Sequence, residues 1–285
     1  MKSCPLCKCE TTRKLFSKDR VIYMRCRCGF VYTGPHEHSD QPSNSIYTRE
    51  YYTPWELDKG AQSPSRISKT ATFTRWLDTI EKFHSGKGKL LDVGCATGIF
   101  LEIAANRNWD VYGVEISEFA SSEAAKKFSG RIVYGTLNQL PSSTGFDVIT
   151  CFDVIEHIND PRSFICTMAG RLVPGGILAL STVDMSSLSR RLFGKTWWQY
   201  KPEHCSYFSR ALLSQLLHTT GLNVISISSA GKKLNPAFIF SYFQAYRSSL
   251  ISPFVNLLYT IVPIPLRMHS FSVPTGEMLV IARRV

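Results

Sequence analysis

"LDVGCATGIF", Leu91 to Phe100, reads as the end of a buried strand that turns on glycines into a helix. Glycine is needed in such a turn because a side chain would block close approach of the backbone to a ligand. The spacing between Gly94 and Gly98 is G-x-x-x-G, not the G-x-G-x-x-G of dinucleotide folds. Around it, short apolar runs alternate with helical periodicity. The runs are "KLLDV", "WDVYGVE", "RIVYG", "FDVITC" and "GGILALST", with a helix from about Ile99 and another over "SEFASSEAAKKF". "LNVISISS" and "EMLVIARR" add two more strands. Strands alternating with helices predict an α/β fold with a doubly wound, mostly parallel, seven-stranded sheet. Ligands of such sheets sit beyond the carboxyl ends of the strands, where the first strand turns into its helix. That puts Asp92, Gly94, Ala96 and Gly98 at the mouth of the site. Glu115 ends the second strand about twenty residues on, where a carboxylate accepts the hydroxyls of a ribose. The pattern favours a ribose over a pyrophosphate.

The whole chain, 285 residues with 44% hydrophobic and 19% charged residues, has the balance of a globular protein and not of a disordered one. The start, "MKSCPLCKCE", has no apolar run behind Lys2, so no secretory signal is expected and the reducing cytoplasm is the expected address. Nine cysteines there are better read as thiols or metal ligands than as disulfides. The net charge of +11 is uneven: residues 1–35 hold eight Lys/Arg against Glu10 and Asp19. That excess fits either an anionic partner such as nucleic acid or local compensation of a thiolate-bound metal.

"LDVGCATG" resembles the first motif of the class I S-adenosylmethionine (SAM) methyltransferases, an acid followed by three alternating glycines, with Ala96 at the middle one. "GVEIS" is similar to the segment with the ribose-binding acid, "FDVITCFDVIEHINDP" to the fourth strand and the segment after it, and "LVPGGILALST" to the turn into the fifth. The resemblance runs from about residue 88 to 229, with the last strand at 277–284, and implies a Rossmann-like methyltransferase fold binding SAM. It assigns Asp92 and the backbone of Gly94, Cys95, Ala96 and Gly98 to the methionine portion. Glu115 with Ile116 would take the ribose, Thr136 and Leu137 the adenine edge, and Phe152 would also line the cofactor site. Many relatives carry Asp where Thr136 stands here.

"CPLC" followed by "MRCRCGF" supplies Cys4, Cys7, Cys26 and Cys28, two close pairs with a hairpin's length between them, the layout of a closed structural Zn²⁺ site. Thirty-odd residues bury little core, so a metal would supply folding energy. The segment resembles the zinc-ribbon knuckles found ahead of many bacterial methyltransferases, with C-x-C where C-x-x-C is usual. Cys9, or His36 or His38 of "HEH", therefore remains an alternative fourth ligand.

Methyl transfer from a sulfonium needs the acceptor aligned and, for a hydroxyl, its proton removed. If Asp153 to Ile158 is helical, Asp153, Glu156 and His157 share one face. The run resembles the E-x-x-E-H segment of the ubiquinone-biosynthesis O-methyltransferases. That implies Mg²⁺ held by Asp153, Glu156 and His157, or His157 as the base. A purely structural role for Glu156 and His157 stands beside it. "KPEHCSYFS" offers His204 as a second catalytic candidate, or as a polar residue beneath the aromatic cluster Trp197, Trp198, Tyr200, Tyr207 and Phe208. Cys205 has no evident base and is read as structural. The "[ND]-P-P-[FY]" run of many nitrogen methyltransferases is replaced by "FDVI", which disfavours base N-methylation.

Residues 230–276 form an insertion before the last strand, with no Asp or Glu, four Lys/Arg (Lys232, Lys233, Arg247, Arg267) and the run "LISPFVNLLYTIVPIPL". Ser248 to Leu266 is uncharged, but the last strand must return to the same sheet, and Pro253, Pro263 and Pro265 interrupt a helix, so a membrane span is not expected. A lid or dimer surface over the acceptor pocket is one reading. An amphipathic element lying on a membrane beside a lipid-linked acceptor is the other.

The expectation is therefore a zinc-ribbon-like module over 1–35, a linker and the start of an N-terminal helix over 36–75, and a SAM-dependent methyltransferase domain over 76–285. Its acceptor would be a small molecule, sugar or lipid-linked intermediate methylated at oxygen, in the cytoplasm or peripheral to the inner face of a membrane. An RNA methyltransferase, disfavoured but suited to the basic surface, and a SAM-binding protein without turnover are the alternatives.

Overall fold

The computed structural model of the chain describes residues 3–34, 62–141, 145–245 and 252–285. His36 and His38 and most of the expected linker lie outside the described residues. Three short strands open the chain, β1 (Thr12–Lys18), β2 (Val21–Cys26) and β3 (Val31–Thr33), followed by the long helix α1 (Pro64–Phe83). Ser63 caps α1 by accepting from the Arg66 amide, and Pro64 sits at the first helical position, where no donor is lost.

From there strands and helices alternate as the periodicity predicts: β4 (Lys89–Val93), α2 (Ile99–Ala105), β5 (Asp110–Glu115), α3 (Glu118–Ala125), β6 (Ile132–Tyr134), β7 (Phe146–Phe152), α4 (Pro161–Arg171) and β8 (Leu172–Val183). After α5 (Leu188–Phe193) and the two-residue β9 (Ser206–Tyr207) come α6 (Arg210–His218), β10 (Leu222–Ser229) and, beyond the insertion, β13 (Glu277–Arg284). The seven-stranded sheet has the order β10-β13-β8-β7-β4-β5-β6. It is parallel from β8 to β6 and antiparallel at β13, which pairs with both β8 and β10. The order reverses at β4, so the carboxyl ends of β4, β5 and β7 open around one crevice.

The central strands are near-continuous apolar runs because both faces are covered. Leu91, Val93, Ile149 and Leu180 face α4 and α6 through Ile165, Met168 and Leu213. Leu90, Val148, Ile177 and Ala179 face α1 and α2 through Trp76, Ile80 and Leu101. Alternate residues of each strand thus serve opposite layers, the period-two consequence of the pleat.

A second sheet has the order β1-β2-β3-β9. Its fourth strand comes from the segment before α6, so residues 3–34 share a sheet with the larger body. The insertion folds as β11 (Lys232–Leu234) paired antiparallel with β12 (Phe271–Val273), with α7 (Pro236–Ala245), α8 (Ser252–Ile261) and α9 (Ile264–Arg267) between them. It docks on α1: the Lys233 amide donates to Thr72 Oγ1 at 2.8 Å, and Asn235 Nδ2 donates to the Pro64 carbonyl at 2.8 Å. Among the described residues no helix is long and apolar enough to cross a membrane.

Candidate active site

The turn after β4 is built by two left-handed glycines. Gly94 has φ +77°, and a Cβ there would lie 2.5 Å from Val154 Cγ2, so no side chain fits. Gly98, at φ +82°, precedes the first residue of α2. Between them Ala96 adopts φ +46°, a left-handed conformation that costs an L-residue about 1 kcal/mol. The turn is tied down from below, with Gly94 and Cys95 amides donating to the Val114 carbonyl at 2.8 and 3.2 Å. From the side, the Ala96 amide donates to Glu115 Oε2 at 2.8 Å, and the Ser117 amide donates to Glu115 Oε1 at 2.8 Å.

Both acids of this site are buried. Asp92, 4% exposed, accepts a hydrogen bond from Thr150 Oγ1 at 2.7 Å. Burial pushes its carboxyl up to about 7, with the nearby Glu115 charge adding to the rise and the Thr150 hydroxyl opposing it. Burial also raises Glu115, against the backbone donors of Ser117, Ala96 and Ile116. Among the described residues neither acid draws a cationic side chain, so only the Thr150 hydroxyl and the backbone donors offset the cost of their charged forms.

The other residues assigned to the cofactor lie around the same crevice or beneath it. Cys95 is buried under the turn, with Sγ 2.6 Å from where a Gly113 Cβ would lie. Ile116 follows β5 and is half-buried. Leu137 is buried, whereas Thr136 is exposed and directs both its amide and its hydroxyl to Gln139 Oε1, at 2.6 and 2.7 Å. Phe152 ends β7 inside an aromatic group, tilted on Trp76 at 4.7 Å, edge-on to Phe100 at 5.1 Å and stacked with Phe73 at 5.9 Å. Phe73, on α1, carries no signal of this role in the sequence.

After β7 the helical face expected for Asp153, Glu156 and His157 does not form. Asp153 has φ +56° and only Ile155–His157 make a single 3₁₀ turn. The Asp153 carboxylate is instead taken by Ser181 Oγ at 2.7 Å and Lys232 Nζ at 2.8 Å, which corrects the expected Mg²⁺ ligand set. Lys232 Nζ also reaches Glu277 Oε1 at 2.9 Å. Burial opposes charge on Lys232, and Asp153 and Glu277 outweigh it. The same pairing holds Asp153 below its ordinary value despite its burial. Lys69 of α1 sits close to this network and is held down to about 8 by burial and the Lys232 charge. Lys232, Glu277 and Lys69 have no signal in the sequence beyond the basic character of the insertion.

What the fold does bring together is Glu156, His157 and His204, whose ligand atoms lie within 4.8 Å of one another. The two imidazoles meet edge to face at 4.8 Å. His157 Nδ1 donates to the Glu203 carbonyl and His204 Nδ1 to the Gln199 carbonyl, each at 3.0 Å. A carbonyl only accepts, so the lone pair of each ring is on Nε2. Burial keeps both neutral: His157 is lowered, and His204, also beside His157, is brought down to about 2. Glu156 accepts from Thr182 Oγ1 at 2.9 Å, and burial together with the Asp153 charge pushes its carboxyl up to about 8. Its carbonyl also accepts from the Cys205 amide at 2.7 Å, so Glu156 joins β8 to the segment before β9. His204 lies against Tyr207 at 6.1 Å, while Trp198 is exposed and does not belong to the buried cluster of Trp197, Tyr200 and Tyr207. The Cys205 thiol is pushed up to about 11 by burial, in keeping with an unreactive position.

At the N-terminus Cys4, Cys7, Cys26 and Cys28 converge, with Sγ atoms within 4.8 Å of one another. Cys4 and Cys28 are 3.9 Å apart, and Cys7 and Cys26 are 3.5 Å apart, close to the sulfur spacing of a tetrahedral metal at about 2.3 Å per bond. Burial pushes the Cys4 thiol up to about 11 and raises Cys28 further, whereas hydrogen bonds from the Cys9 backbone and the neighbouring sulfurs lower Cys7 against its slight burial. Cys9 stays outside the four, its sulfur accepting from the Thr11 amide at 3.4 Å.

The family model described as "Methyltransferase domain" matches residues 68–227, more than half of the chain, and the chain belongs to that family. It is 35% identical over 151 residues to the mitochondrial ubiquinone biosynthesis O-methyltransferase of Schizosaccharomyces pombe, covering 48% of this chain and 53% of that one. Against the ubiquinone biosynthesis O-methyltransferase of Thiobacillus denitrificans it is 34% identical over 122 residues, covering 40% and 52%. The chain thus spans about half the length of these curated relatives. Among solved structures, magnesium protoporphyrin IX methyltransferase from Synechocystis PCC 6803 with bound SAH superposes with a TM-score of 0.55 at 16% identity, covering 85% of this chain and 98% of that chain. That likeness establishes the methyltransferase fold.

Proposed function

We propose that the protein transfers a methyl group from SAM to an oxygen of a small-molecule or lipid-linked acceptor. The observation that carries this reading is the crevice at β4 and β5, where a left-handed backbone turn adjoins two buried carboxyls without cationic partners among the described residues. A ligand with an ammonium, a sulfonium and a ribose suits it; a pyrophosphate would meet two acids. Asp92 and the turn from Gly94 through Cys95 and Ala96 to Gly98 hold the methionine portion. Glu115, with Ile116 beside it, accepts from the ribose hydroxyls. Leu137 and Thr136 border the adenine, and Phe152 supports the floor through its aromatic contacts.

SAM supplies a methyl group on a sulfonium, released by in-line displacement. The acceptor oxygen forms the new bond to the methyl carbon as the carbon–sulfur bond breaks, with its electron pair going to sulfur. His157 takes the acceptor proton on Nε2, and neutral His204 beside it lines the acceptor side; Glu156 anchors the turn that holds His157. Two named ubiquinone biosynthesis O-methyltransferases among the relatives support oxygen as the acceptor atom. Should a divalent ion bind here, Glu156, His157 and His204 are the ligands in reach, and two imidazoles suit zinc better than Mg²⁺. The four N-terminal cysteines form a structural Zn²⁺ site.

A peripheral membrane contact through the insertion is part of the same reading. Leu257, Ile261 and Ile264 on α8 and α9 are 64%, 70% and 77% exposed, with Arg267 beside them, and the whole insertion lacks acids. The cytoplasmic side of a membrane is the location this implies. The test is transfer of a labelled methyl from SAM to a panel of phenols, catechols, sugars and polyprenylated phenols, with the product's methylated atom assigned by mass spectrometry. Ether products support the reading. Products methylated only at nitrogen, or methylation of RNA alone, refute it.

A further inference from the structure

The N-terminal strands grip the segment that carries His204. Val31 and Tyr32 of β3 pair with Tyr207 and Ser206 of β9, and the Thr33 amide donates to the Cys205 carbonyl at 3.1 Å. Lys18, at the end of β1, donates from Nζ to the carbonyls of Tyr200 at 3.0 Å and Trp197 at 3.3 Å. The Tyr23 hydroxyl donates to the Lys201 carbonyl at 3.4 Å, and its ring meets Tyr200 at 5.0 Å and Tyr207 at 5.8 Å. Gln199, whose carbonyl orients His204, and Glu203, whose carbonyl orients His157, both lie in this gripped stretch. The far side of the stretch is tied to the methyltransferase sheet: the Cys205 amide donates to the Glu156 carbonyl, and Ser206 Oγ donates to the Ile158 carbonyl at 2.9 Å.

The cysteine cluster closes the other end of the same strands. Cys26 is the last residue of β2, Cys28 lies in the turn to β3, and the Cys26 amide donates to the Phe30 carbonyl at 2.9 Å, immediately before Val31. Cys4 and Cys7 meet that turn from the chain's start. A tetrahedral metal would cross-link the start of the chain to the β2–β3 turn, and so fix where β3 presents its edge.

We propose that a divalent metal on Cys4, Cys7, Cys26 and Cys28 acts as a positioning clamp for His157 and His204, through β3, its pairing with β9 and the stretch from Trp197 to Tyr207. The hydrogen bonds and strand pairing named above all run to the stretch from Trp197 to Tyr207 and none to β4 or β5, which meet the module only through core packing, Leu91, Val93 and Val114 sharing a buried cluster with Cys4, Cys26 and Phe30; the clamp therefore acts chiefly on the acceptor half. Lys18 is a positioning residue within it. The proposal rests on the reading of the two histidines as the acceptor-side pair.

The test compares the full chain loaded with Zn²⁺ and the same chain after chelation, with metal content measured. Readouts are hydrogen exchange by mass spectrometry, imidazole ¹H–¹⁵N correlation spectra and calorimetric SAM titration. Metal removal is expected to speed exchange over residues 199–208 by about tenfold or more and to abolish the single-tautomer signals of His204. Exchange over residues 89–116 and the SAM dissociation constant should change by less than about twofold. Lys18→Met should reproduce the faster exchange over 199–208 with zinc content and SAM affinity intact, and Lys18→Arg should restore the slow exchange. Unchanged exchange over 199–208 after verified metal loss overturns the clamp. So does a parallel loss of protection over 89–116, which would mean general unfolding, and so does a silent Lys18→Met. Absence of SAM binding in the untreated protein would count against the proposed function and leave the exchange comparison standing.

Discussion

Asp92→Asn should stabilise the ligand-free protein and weaken its hold on SAM, and the two effects come from one physical cause. The carboxyl is 4% exposed, and its charged form is opposed by burial and by Glu115, with only the Thr150 hydroxyl in support. Its rise from 3.8 to about 7 amounts to about 4 kcal/mol against the charged form near pH 8, at about 1.4 kcal/mol per tenfold change. Because the folded value lies above the unfolded one, the stability this group contributes is present below pH 4 and lost as pH rises through about 7. Asparagine never ionises and still accepts from Thr150, so it avoids that loss, less some cost for desolvating its amide; about 2 kcal/mol of net gain is expected at pH 8. For a chain of this size that is about 3 °C in melting temperature, shrinking towards zero at pH 4. With the ammonium contact gone, SAM should bind about thirtyfold or more weakly at pH 8. Thermal melts from pH 4 to 8, paired with calorimetric titration, measure both. A variant no more stable at pH 8 than the parent, or one that binds SAM equally well, would refute the account of Asp92 as a buried acid kept for a cationic ligand.

The same geometry sets four further outcomes. Glu115→Ala removes the carboxylate expected to take the ribose hydroxyls and leaves the Ala96 and Ser117 amides unpaired, so equilibrium titration should give about a hundredfold weaker SAM binding. His157→Ala should lower methyl transfer by about a hundredfold or more with SAM affinity unchanged, as loss of a general base does; full activity in a steady-state assay would move the base to His204. Ala96→Gly relieves a left-handed alanine at φ +46° and should raise stability by a few tenths to about 1 kcal/mol in urea unfolding, whereas Gly94→Ala, facing Val154 at 2.5 Å, should lose SAM binding.

Much of the fold is legible in the sequence because its central strands are buried on both faces and its helices carry local caps. Each of the seven apolar runs forms a strand, and Ser63, Ser117 and Ser209 cap the helices that begin beside them. The glycine turn and Glu115 are legible for the same reason: both are fixed by their position at strand ends. Asp153 misleads because its i, i+3, i+4 spacing to Glu156 and His157 suggests a helix. Its actual backbone is left-handed, and its partner Lys232 lies 79 residues away in the insertion. The meeting of His157 with His204 is equally silent. It depends on a two-residue strand, β9, that pairs with β3 across more than 170 residues, and no local pattern encodes such a contact. Trp198 groups with the buried aromatics by adjacency alone, whereas only Trp197 beside it turns inward.

Isothermal titration near pH 7 in two buffers of different ionisation enthalpy decides whether the β4 turn and its two acids bind SAM. One molecule should bind per chain, with release of a fraction of a proton as the ligand's cation pulls Asp92 into its charged form, and affinity should fall as pH drops below 7. No binding, or binding with proton uptake, would contradict that binding mode.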